Sequence, residues 1–428
     1  MIMRLKAVRS PVKKRKGLQP NKKKGKKSRN LSGSAQGHGV THFVEIAIQS
    51  QMARKGQPFP LPYPSSFGTL DEKWGGWKMT AIGGMPLITL TGGPETRGLQ
   101  HGETLREKIH QMVDVYSGFF GLPEEQVFQT ATHFKQVITR FQSDYAVEID
   151  AIAKAANLPP LWIYALNARS EFLSYTPATE CTLLHFNGTS LLGQNWDWEE
   201  SLEPLITLVR IESNNNTPDI LMMTEPGIIG KIGLNSAGLG VCFNFLPIDR
   251  PTNGVPVHIL LRALLECRSI SDARSTIERA GNGRSANIMV AQKNGERFDM
   301  EFAATEKFEL SDSGDILAHT NHFIEQDLFA IPDVLKNSTT RLSRVQRLGD
   351  AYGGRDRRTM EKILSDTENP GDAICQTYRT RAPLGQMGTV CSLTMDLETG
   401  DMGVRLGNNA QGPFGHVSVH TSRTRKVA

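Results

Sequence analysis

The stretch ATECTLLHFNGTSLLGQNWDWEE, residues 178–200, contains the change of periodicity on which the fold prediction depends. Apolar residues recur at helical spacing before it, and they alternate with a period of two over residues 181–186 and 190–196. These two segments flank Asn187-Gly188, a dipeptide typical of tight hairpin turns. The sequence therefore predicts a hairpin that starts at Cys181, directly after helical sequence.

The patterns on either side of this hairpin predict a fold of antiparallel sheets and helices. Upstream, a short strand-like segment precedes three helical segments, at residues 85–92, 102–121, 122–141 and 145–172. Downstream, four more strand pairs are predicted, at residues 205–213 with 219–225, 230–235 with 238–246, 287–292 with 297–304, and 390–397 with 403–408. Two helices, at residues 255–269 and 269–281, interrupt these strands. The simplest fold class is α+β, a sandwich of antiparallel sheets covered by helices.

Charge is distributed unevenly along the chain. The formal net charge is +5, but residues 1–32 carry 13 Lys or Arg and no acid, whereas the remainder carries 36 basic and 44 acidic side chains. We expect residues 1–40 to form a disordered basic tail, because they lack the apolar side chains that ordering requires. Such a tail could contact nucleic acid or an anionic membrane, or be a plain solvated extension; charge gives the rest of the chain no nucleic-acid function.

Composition excludes several classes of protein. A chain with 39% hydrophobic and 22% charged residues is neither a coiled coil nor wholly disordered. The five cysteines are widely spaced without a CxxC pair, which argues against a disulfide framework or a zinc site, so we expect no metal and no cofactor. No apolar run approaches the roughly 18 residues of a membrane span. We expect a cytoplasmic protein without a transmembrane segment.

Cys181 has two interpretations. A cysteine at the start of a buried strand is commonly a small hydrophobic residue. However, a cut between Glu180 and Cys181 would separate the helical part of the chain from the strand-rich part. The cut would leave Cys181 with a thiol and an α-amine whose pKa of about 7.7 to 8.0 suits a base near neutral pH. Nucleophile and base would then belong to one residue, without a paired histidine.

Five motifs in this chain resemble those of the acyl-coenzyme A:6-aminopenicillanate acyltransferase family, whose members are N-terminal nucleophile amidohydrolases. They are Cys181-Thr182, LLGQNWDW at 191–198, IGLNSAGLGVCFN at 232–244, HTNHF at 319–323 and NARSE at 167–171. The resemblance runs from about Gly92 to Val417. It implies a four-layer αββα sandwich that cuts itself before the nucleophile, with the two processed chains remaining associated as a heterodimer. It also implies a small-molecule amide or acyl thioester as substrate.

The resemblance assigns three catalytic residues. Cys181 is the implied nucleophile in both self-cleavage and turnover, and Asp197 is implied to hold the α-amine and nucleophile in place. Asn244 is implied to stabilise the oxyanion. Such a neutral amide donor can stabilise the developing charge by about 3 to 4 kcal/mol when it is pre-positioned.

Further residues are candidates for substrate binding. The resemblance aligns Arg341 with an arginine that contacts substrate, and Arg344 is an alternative. His322 could contact substrate, as could His319 and Asn321, or the motif could instead satisfy buried backbone groups.

Four residues are better explained by structure than by catalysis. Trp198 shares a strand face with Trp196, so both are expected in the core or in a pocket wall, where Trp198 could contact substrate. Arg169 and Glu171 precede the proposed cut, and a structural ion pair explains them better than a catalytic role.

This chain departs from the family pattern in two places. Glu180 precedes the nucleophile, where the penicillin-forming enzyme has glycine. The C-terminal sequence SRTRKVA also lacks a tripeptide of the S-K-L type, so a peroxisomal location is unsupported.

The sequence thus predicts a self-processing cysteine amidohydrolase or acyltransferase that forms a thioester on Cys181 and passes the acyl group to water or an amine. Residues 41–180 would become a helical α chain and residues 181–428 a catalytic β chain, both within one αββα domain. The alternatives are an unprocessed binding protein with a basic tail, and a Cys/His protease that pairs Cys181 with a distant histidine such as His319.

Overall fold

A computed structural model describes residues 80–174, 181–213, 217–311, 314–325, 332–369, 373–381 and 385–420, with side chains of 332–336 left undescribed. The predicted basic tail and the predicted scissile residue Glu180 lie outside the described residues.

Sixteen strands are described, and they are numbered in chain order. They are β1 Thr80–Ile82, β2 Met85–Leu90, β3 Thr182–Phe186, β4 Leu191–Glu199, β5 Thr207–Ile211, β6 Ile220–Thr224, β7 Ile232–Asn235, β8 Leu239–Phe245, β9 Arg284–Gln292, β10 Arg297–Ala304, β11 Glu306–Glu309, β12 Ile316–His319, β13 Arg379–Arg381, β14 Gly385–Asp396, β15 Asp401–Leu406 and β16 Gly415–Ser418.

Ten α-helices are described, with one 3-10 turn at Glu200–Leu202. They are α1 Pro94–Thr104, α2 Arg106–Phe120, α3 Glu124–Phe141, α4 Ser143–Ala156, α5 Pro160–Asn167, α6 Arg169–Phe172, α7 Val257–Leu265, α8 Ile270–Ala280, α9 Pro332–Tyr352 and α10 Arg357–Leu364.

The strands form two sheets. The nine-stranded sheet has the order β1-β2-β5-β6-β7-β8-β9-β10-β11, and the seven-stranded sheet has the order β12-β3-β4-β14-β15-β16, with β13 paired to β14. Every described pairing is antiparallel except that of β2 with β5. All five strand pairs expected from the sequence are present as hairpins or neighbouring strands.

Helices cover the outer face of each sheet. Helices α7 and α8 contact strands of the nine-stranded sheet, as does α6, and α1 contacts β2. Helices α9 and α10 contact β3, β4, β12 and β14 of the other sheet, while β3 and β4 contact β8 across the interior. The order of layers is helix, sheet, sheet, helix, so the fold is the predicted αββα sandwich of antiparallel sheets.

One helix prediction was wrong in its boundaries. The segment 102–121 was expected to be a single helix, but α1 begins at Pro94 and ends at Thr104, and α2 starts at Arg106. The residue between them, Leu105, has φ −110° and ψ 18°, outside helical geometry, while its side chain is buried. Burial of Leu105 in the core thus coincides with the break.

Strand β4 is covered on both faces, which explains its composition. All nine of its residues are buried, the polar ones included. Asn195 on this strand donates from Nδ2 to the carbonyl oxygens of Leu364 and Ile374, each at 2.9 Å. Because a central strand faces another layer on each side, its polar side chains must find partners inside the protein.

The hairpin of β3 and β4 positions Cys181. Gly188 in the turn has φ 72°, a conformation that glycine adopts without strain, and Thr182 pairs with Asn195. Cys181 therefore lies at the end of the hairpin, beside Trp196 and Asp197.

Candidate active site

Cys181 lies immediately before β3 and is 4% exposed. Its Sγ is 3.7 Å from the carbonyl oxygen of Asp197 on the neighbouring strand. All five cysteines of the chain are buried and none forms a disulfide. Cys181 is thus available as a thiol at the junction of two strands.

The surroundings of the Cys181 thiol favour its protonated form. Burial and the nearby Asp197 carboxylate raise the thiol pKa to about 12, although the positive charges of Arg341 and Lys231 act in the opposite direction. A neutral thiol is a weak nucleophile. Catalysis by Cys181 at neutral pH therefore needs a base.

Arg341 on α9 holds the backbone of Cys181. Its Nη1 donates to the Cys181 carbonyl oxygen at 2.6 Å and to Thr182 Oγ1 at 2.8 Å, and its Nη2 donates to Asn321 Oδ1 at 3.0 Å. The side chain is fully buried. These contacts place Arg341 directly against Cys181, and its predicted contact with substrate stays a prediction.

Arg344, the alternative to Arg341, lies elsewhere. It is paired with Asp366, with 2.6 Å between Nη2 and Oδ1, and with Glu368 at 2.7 Å. It joins α9 to the segment that follows α10. Of the two arginines, Arg341 is therefore the one that contacts Cys181, and the choice between them as a substrate contact stays open.

Asp197 and its two tryptophan neighbours are buried on β4. The Asp197 carboxylate acts electrostatically on the Cys181 thiol. The Trp196 ring centroid is 3.2 Å from Lys231 Nζ, a short cation–π contact. The Trp198 ring packs against Arg169 and Phe119, and at 3% exposure it is a core side chain, so its contact with substrate stays a prediction.

Asn244 on β8 is fully buried. Its Nδ2 donates to the Thr320 carbonyl oxygen at 2.8 Å, and its Oδ1 accepts from Gln194 Nε2 at 3.4 Å. The next residue, Phe245, accepts from Asn321 Nδ2 at 3.0 Å, and Asn321 in turn binds Arg341. Asn244 thus belongs to the same hydrogen-bonded region as Cys181.

The HTNH motif at residues 319–322 follows β12. His319 is fully buried between Glu301 and Asn244. The ring of His322 is partly buried, and its Nδ1 is 2.7 Å from Ser338 Oγ on α9. The substrate contact predicted for His322 is untested by these protein contacts and stays a prediction.

Sequence reasoning missed a buried charge cluster centred on Glu225. Arg169 donates from Nη2 to Glu225 Oε2 at 2.7 Å, and Lys231 and the Tyr116 hydroxyl also bind this carboxylate. Burial alone would raise the pKa of Glu225, but Arg169 and Lys231 outweigh burial and lower it to about 2. The one signal available in the sequence was a lysine inside the apolar run IIGKIGL, residues 228–234.

Arg169 therefore forms an ion pair with Glu225, whereas the sequence predicted a pair with Glu171. Arg169 pairs with Glu225, while Glu171 accepts the backbone N–H of Val257 at 2.9 Å. Burial raises the pKa of Glu171 to about 7. Glu171 and Glu225 are far apart in sequence, and only the fold brings Glu225 to the arginine.

The described ranges of the chain contain neither a candidate metal cluster nor a candidate membrane span. Side chains of His, Cys, Asp and Glu do not gather there in groups of three that could bind a metal ion. No helix in those ranges is long and apolar enough to span a bilayer.

Comparisons with known proteins agree on one family. The family model for acyl-coenzyme A:6-aminopenicillanic acid acyl-transferase matches residues 185–411. The 40 kDa form of the acyl-coenzyme A:6-aminopenicillanic-acid-acyltransferase of Emericella nidulans is 32% identical over an alignment 349 residues long, which covers 76% of this chain and 94% of that protein.

Solved structures show weaker similarity. A mutant of the conjugated bile acid hydrolase of Clostridium perfringens is 16% identical, with a TM-score of 0.40, over 56% of this chain and 92% of that one. The penicillin V acylase of Agrobacterium tumefaciens is 8% identical, with a TM-score of 0.32, over 53% and 82% of the two chains.

Proposed function

This chain belongs to the acyl-coenzyme A:6-aminopenicillanic acid acyl-transferase family, and we propose that it is a self-processing cysteine amidohydrolase and acyltransferase that uses Cys181 as its nucleophile. Its substrates would be small-molecule amides or acyl thioesters. The name of the relative from E. nidulans gives acyl-coenzyme A and a penicillin nucleus as reactants, and this chain would act on the same chemical class of bond.

The proposed reaction has two halves. The Cys181 thiol gives its proton to the α-amine of the same residue, and the sulfur attacks the substrate carbonyl carbon. The intermediate collapses to a thioester on Cys181 while the leaving amine or thiol takes a proton from the α-ammonium. Water or an acceptor amine then attacks the thioester and gives a proton to the α-amine. The carbon–sulfur bond breaks, the Cys181 sulfur takes that proton back, and the acyl group leaves as an acid or an amide.

The observation that carries this proposal is the environment of Cys181. Its thiol is buried and protonated at neutral pH, with a pKa of about 12, and Arg341 fixes its carbonyl group. An α-amine created by a cut before Cys181 would have an ordinary pKa of about 7.7 to 8.0 and would supply the missing base. Asp197 would hold this amine, and Asn244 would donate to the oxyanion of the intermediate.

Self-cleavage is tested by denaturing electrophoresis of the purified chain. A cut before Cys181 yields fragments of 180 and 248 residues, about 20 and 27 kDa. We expect the wild type to give both fragments and the Cys181→Ala chain to stay whole. The matched control is Cys267→Ala, since Cys267 is also buried but lies after α7; this chain should still be cut.

The identity of the new terminus separates this mechanism from its rivals. N-terminal sequencing of the larger fragment should read Cys-Thr-Leu-Leu, and another start would contradict an α-amine base. A wild-type chain that stays whole and hydrolyses no amide would instead support a binding protein. Mass detection of products from N-acyl amines, N-acyl amino acids, acyl thioesters and penicillins, with and without an added amine, would distinguish hydrolysis from transfer.

A further inference from the structure

Self-cleavage needs a base, and the α-amine that serves in turnover does not yet exist in the uncut chain. Before the cut, the nitrogen of Cys181 belongs to the peptide bond with Glu180, and an amide nitrogen is not basic. The Cys181 thiol has a pKa of about 12, so it keeps its proton at neutral pH. Another group must therefore accept the thiol proton when the chain first cuts itself.

Several charged side chains act on the Cys181 thiol. Asp197, Arg341 and Lys231 influence its ionisation, and Arg169 also interacts with it electrostatically. The two guanidinium groups cannot serve as bases, because arginine stays charged at every pH of interest. Asp197 and Lys231 are the two of these side chains that can take up a proton.

Strand geometry favours Lys231 over Asp197. Cys181 lies opposite Trp196 in the hairpin of β3 and β4. Directly opposed residues of an antiparallel pair share one face of the sheet, whereas the next residue, Asp197, belongs to the other face. Lys231 Nζ is 3.2 Å from the centroid of the Trp196 ring. The lysine amine therefore lies on the same face of the sheet as the Cys181 side chain.

The environment of Lys231 makes its amine a usable base. The side chain is fully buried, and burial lowers its pKa to about 7 although Glu225 opposes this shift. Its Nζ donates to the Glu225 carboxylate. A neutral amine still has hydrogens for that bond, and its lone pair can accept another proton. Neutral and charged Lys231 therefore coexist near pH 7.

We propose that Lys231 is the base of self-cleavage and takes the Cys181 proton before an α-amine exists. The inference rests on the proposed function, in which the chain cuts itself before Cys181. No hydrogen bond joins Lys231 Nζ to Cys181 Sγ among the described residues. Rotation of the lysine side chain, or one water molecule between the two atoms, completes the path of the proton.

The proton passes from sulfur to nitrogen in this reaction. The Cys181 thiol gives its proton to Lys231 while the sulfur attacks the Glu180 carbonyl carbon. The carbon–nitrogen bond then breaks, and the leaving nitrogen takes the proton from Lys231 and becomes the α-amine. Water hydrolyses the remaining thioester, with the new α-amine carrying the proton of the water to the sulfur, and the Glu180 carboxyl group is released.

The groups packed around Lys231 keep their protonation between pH 6 and 9. The pKa of Glu225 is about 2, and burial lowers the pKa of His258 well below 6.5. Burial raises the thiol pKa of Cys391, and Arg169 stays charged. A change of the cutting rate near pH 7 therefore reports the titration of Lys231 itself.

The test follows the cutting of newly made full-length chains. Cell-free synthesis with labelled methionine is stopped, the pH is set between 5 and 10, and denaturing electrophoresis measures the fragments over time. Lys231→Arg keeps a cation for Glu225 and for the Trp196 ring but accepts no proton. We expect this variant to be cut about 100-fold more slowly than the wild type at pH 7.5, the lower end of general-base effects.

Lys108→Arg is the matched control. Burial lowers the pKa of Lys108 to about 8, but its Nζ donates to the Pro204 carbonyl oxygen at 2.8 Å, and this variant should be cut at the wild-type rate. Equal rates for the wild type and Lys231→Arg would overturn the inference and leave the proposed function standing. A wild-type chain that is never cut would overturn the proposed function itself.

The wild type provides a second measurement, which covers a Lys231→Arg chain that does not fold. Its cutting rate should rise with pH to a plateau, with a midpoint near pH 7. A rate that rises tenfold per pH unit up to pH 10 would indicate direct ionisation of the thiol and would overturn the inference. Burial also raises the pKa of Glu171 to about 7. Glu171→Gln should leave the midpoint in place, and its loss in that variant would overturn the inference.

Discussion

The chemistry available to Cys181 depends on its neighbours Asp197 and Arg341. Burial next to Asp197 keeps the Cys181 thiol protonated, while Arg341 fixes the backbone carbonyl group of Cys181. The geometry thus holds the Cys181 thiol in place without activating it. An α-amine on the same residue would activate the thiol. The pKa of that amine, about 7.7 to 8.0, is well below the thiol pKa of about 12.

This difference predicts a pH profile for the processed enzyme. The α-amine accepts a proton only when it is neutral, so kcat/KM should be low at pH 6 and rise with an apparent pKa of about 8 to a plateau above pH 9. Steady-state rates between pH 5 and 11 with a neutral substrate measure this directly.

Direct ionisation of the thiol would give a different curve. Because the thiol pKa is about 12, kcat/KM would then keep rising tenfold per pH unit up to pH 11, and such a profile would contradict an α-amine base.

Helices α1 and α4 pack so closely that two positions of α1 have no room for a Cβ atom. Gly98 and Gly102 lie on one face of α1, and a Cβ at either would come within 2.3 Å of the Glu148 carbonyl oxygen or 2.4 Å of the Ile152 carbonyl oxygen. Both obstacles are backbone atoms of α4. The two helices could accommodate a methyl group only by moving apart.

We therefore expect Gly98→Ala to destabilise the protein, by about 1 to 3 kcal/mol, because overpacking forces backbone shifts. Gly118→Ala in α2 is the matched control, since its Cβ would meet nothing within 4 Å. Alanine there should raise the free energy of unfolding by up to about 1 kcal/mol through helix propensity. Urea unfolding of both variants measures the two effects. A change of the same sign in their free energies of unfolding would contradict this explanation.

The Glu225 cluster extends through several layers of the molecule. Glu225 and Lys231 flank the turn between β6 and β7 in one sheet, Tyr116 and Arg169 come from helices, and Lys231 lies over Trp196 of the other sheet. All of these side chains are at most 4% exposed. Loss of the carboxylate would leave the buried Arg169 guanidinium without a counter-charge, and Lys231, whose pKa burial already lowers to about 7, would lose its proton at neutral pH.

Glu225→Gln should accordingly lower the free energy of unfolding by about 3 to 5 kcal/mol at pH 7. The folded-state pKa of Glu225 lies near 2, below its usual value. The stabilisation is therefore present above about pH 4.5 and is lost as the pH falls toward 2. The difference between wild type and variant in denaturant unfolding should shrink over that same interval.

A solvent-exposed pair provides the comparison. Asp150→Asn breaks the contact of Asp150 with Lys135, whose side chains are 43% and 39% exposed. We expect a cost below about 1 kcal/mol. If Glu225→Gln and Asp150→Asn lowered the free energy of unfolding equally, burial of the Glu225 ion pairs would not explain their contribution to stability.

Local patterns were sufficient for much of this fold. The hairpin at Asn187-Gly188, the other strand pairs and the helices on either side of Cys181 could be predicted because each depends on residues close in sequence. The family motifs also marked Cys181, Asp197 and Asn244, since their neighbours in sequence carry the recognisable pattern. Backbone periodicity and turn chemistry are short-range properties, so the sequence alone establishes them.

The contacts around the site depend on long-range packing that no local pattern encodes. Arg341 reaches Cys181 across 160 residues, Glu225 is 56 residues from Arg169, and Glu301 and Asn244 lie on different strands from His319. Each of these polar groups is buried, and a buried polar group must find a partner wherever the layers bring one within reach. The choice of partners and the protonation of the thiol were therefore decided by the stacking of sheets and helices, because burial is a property of the assembled layers.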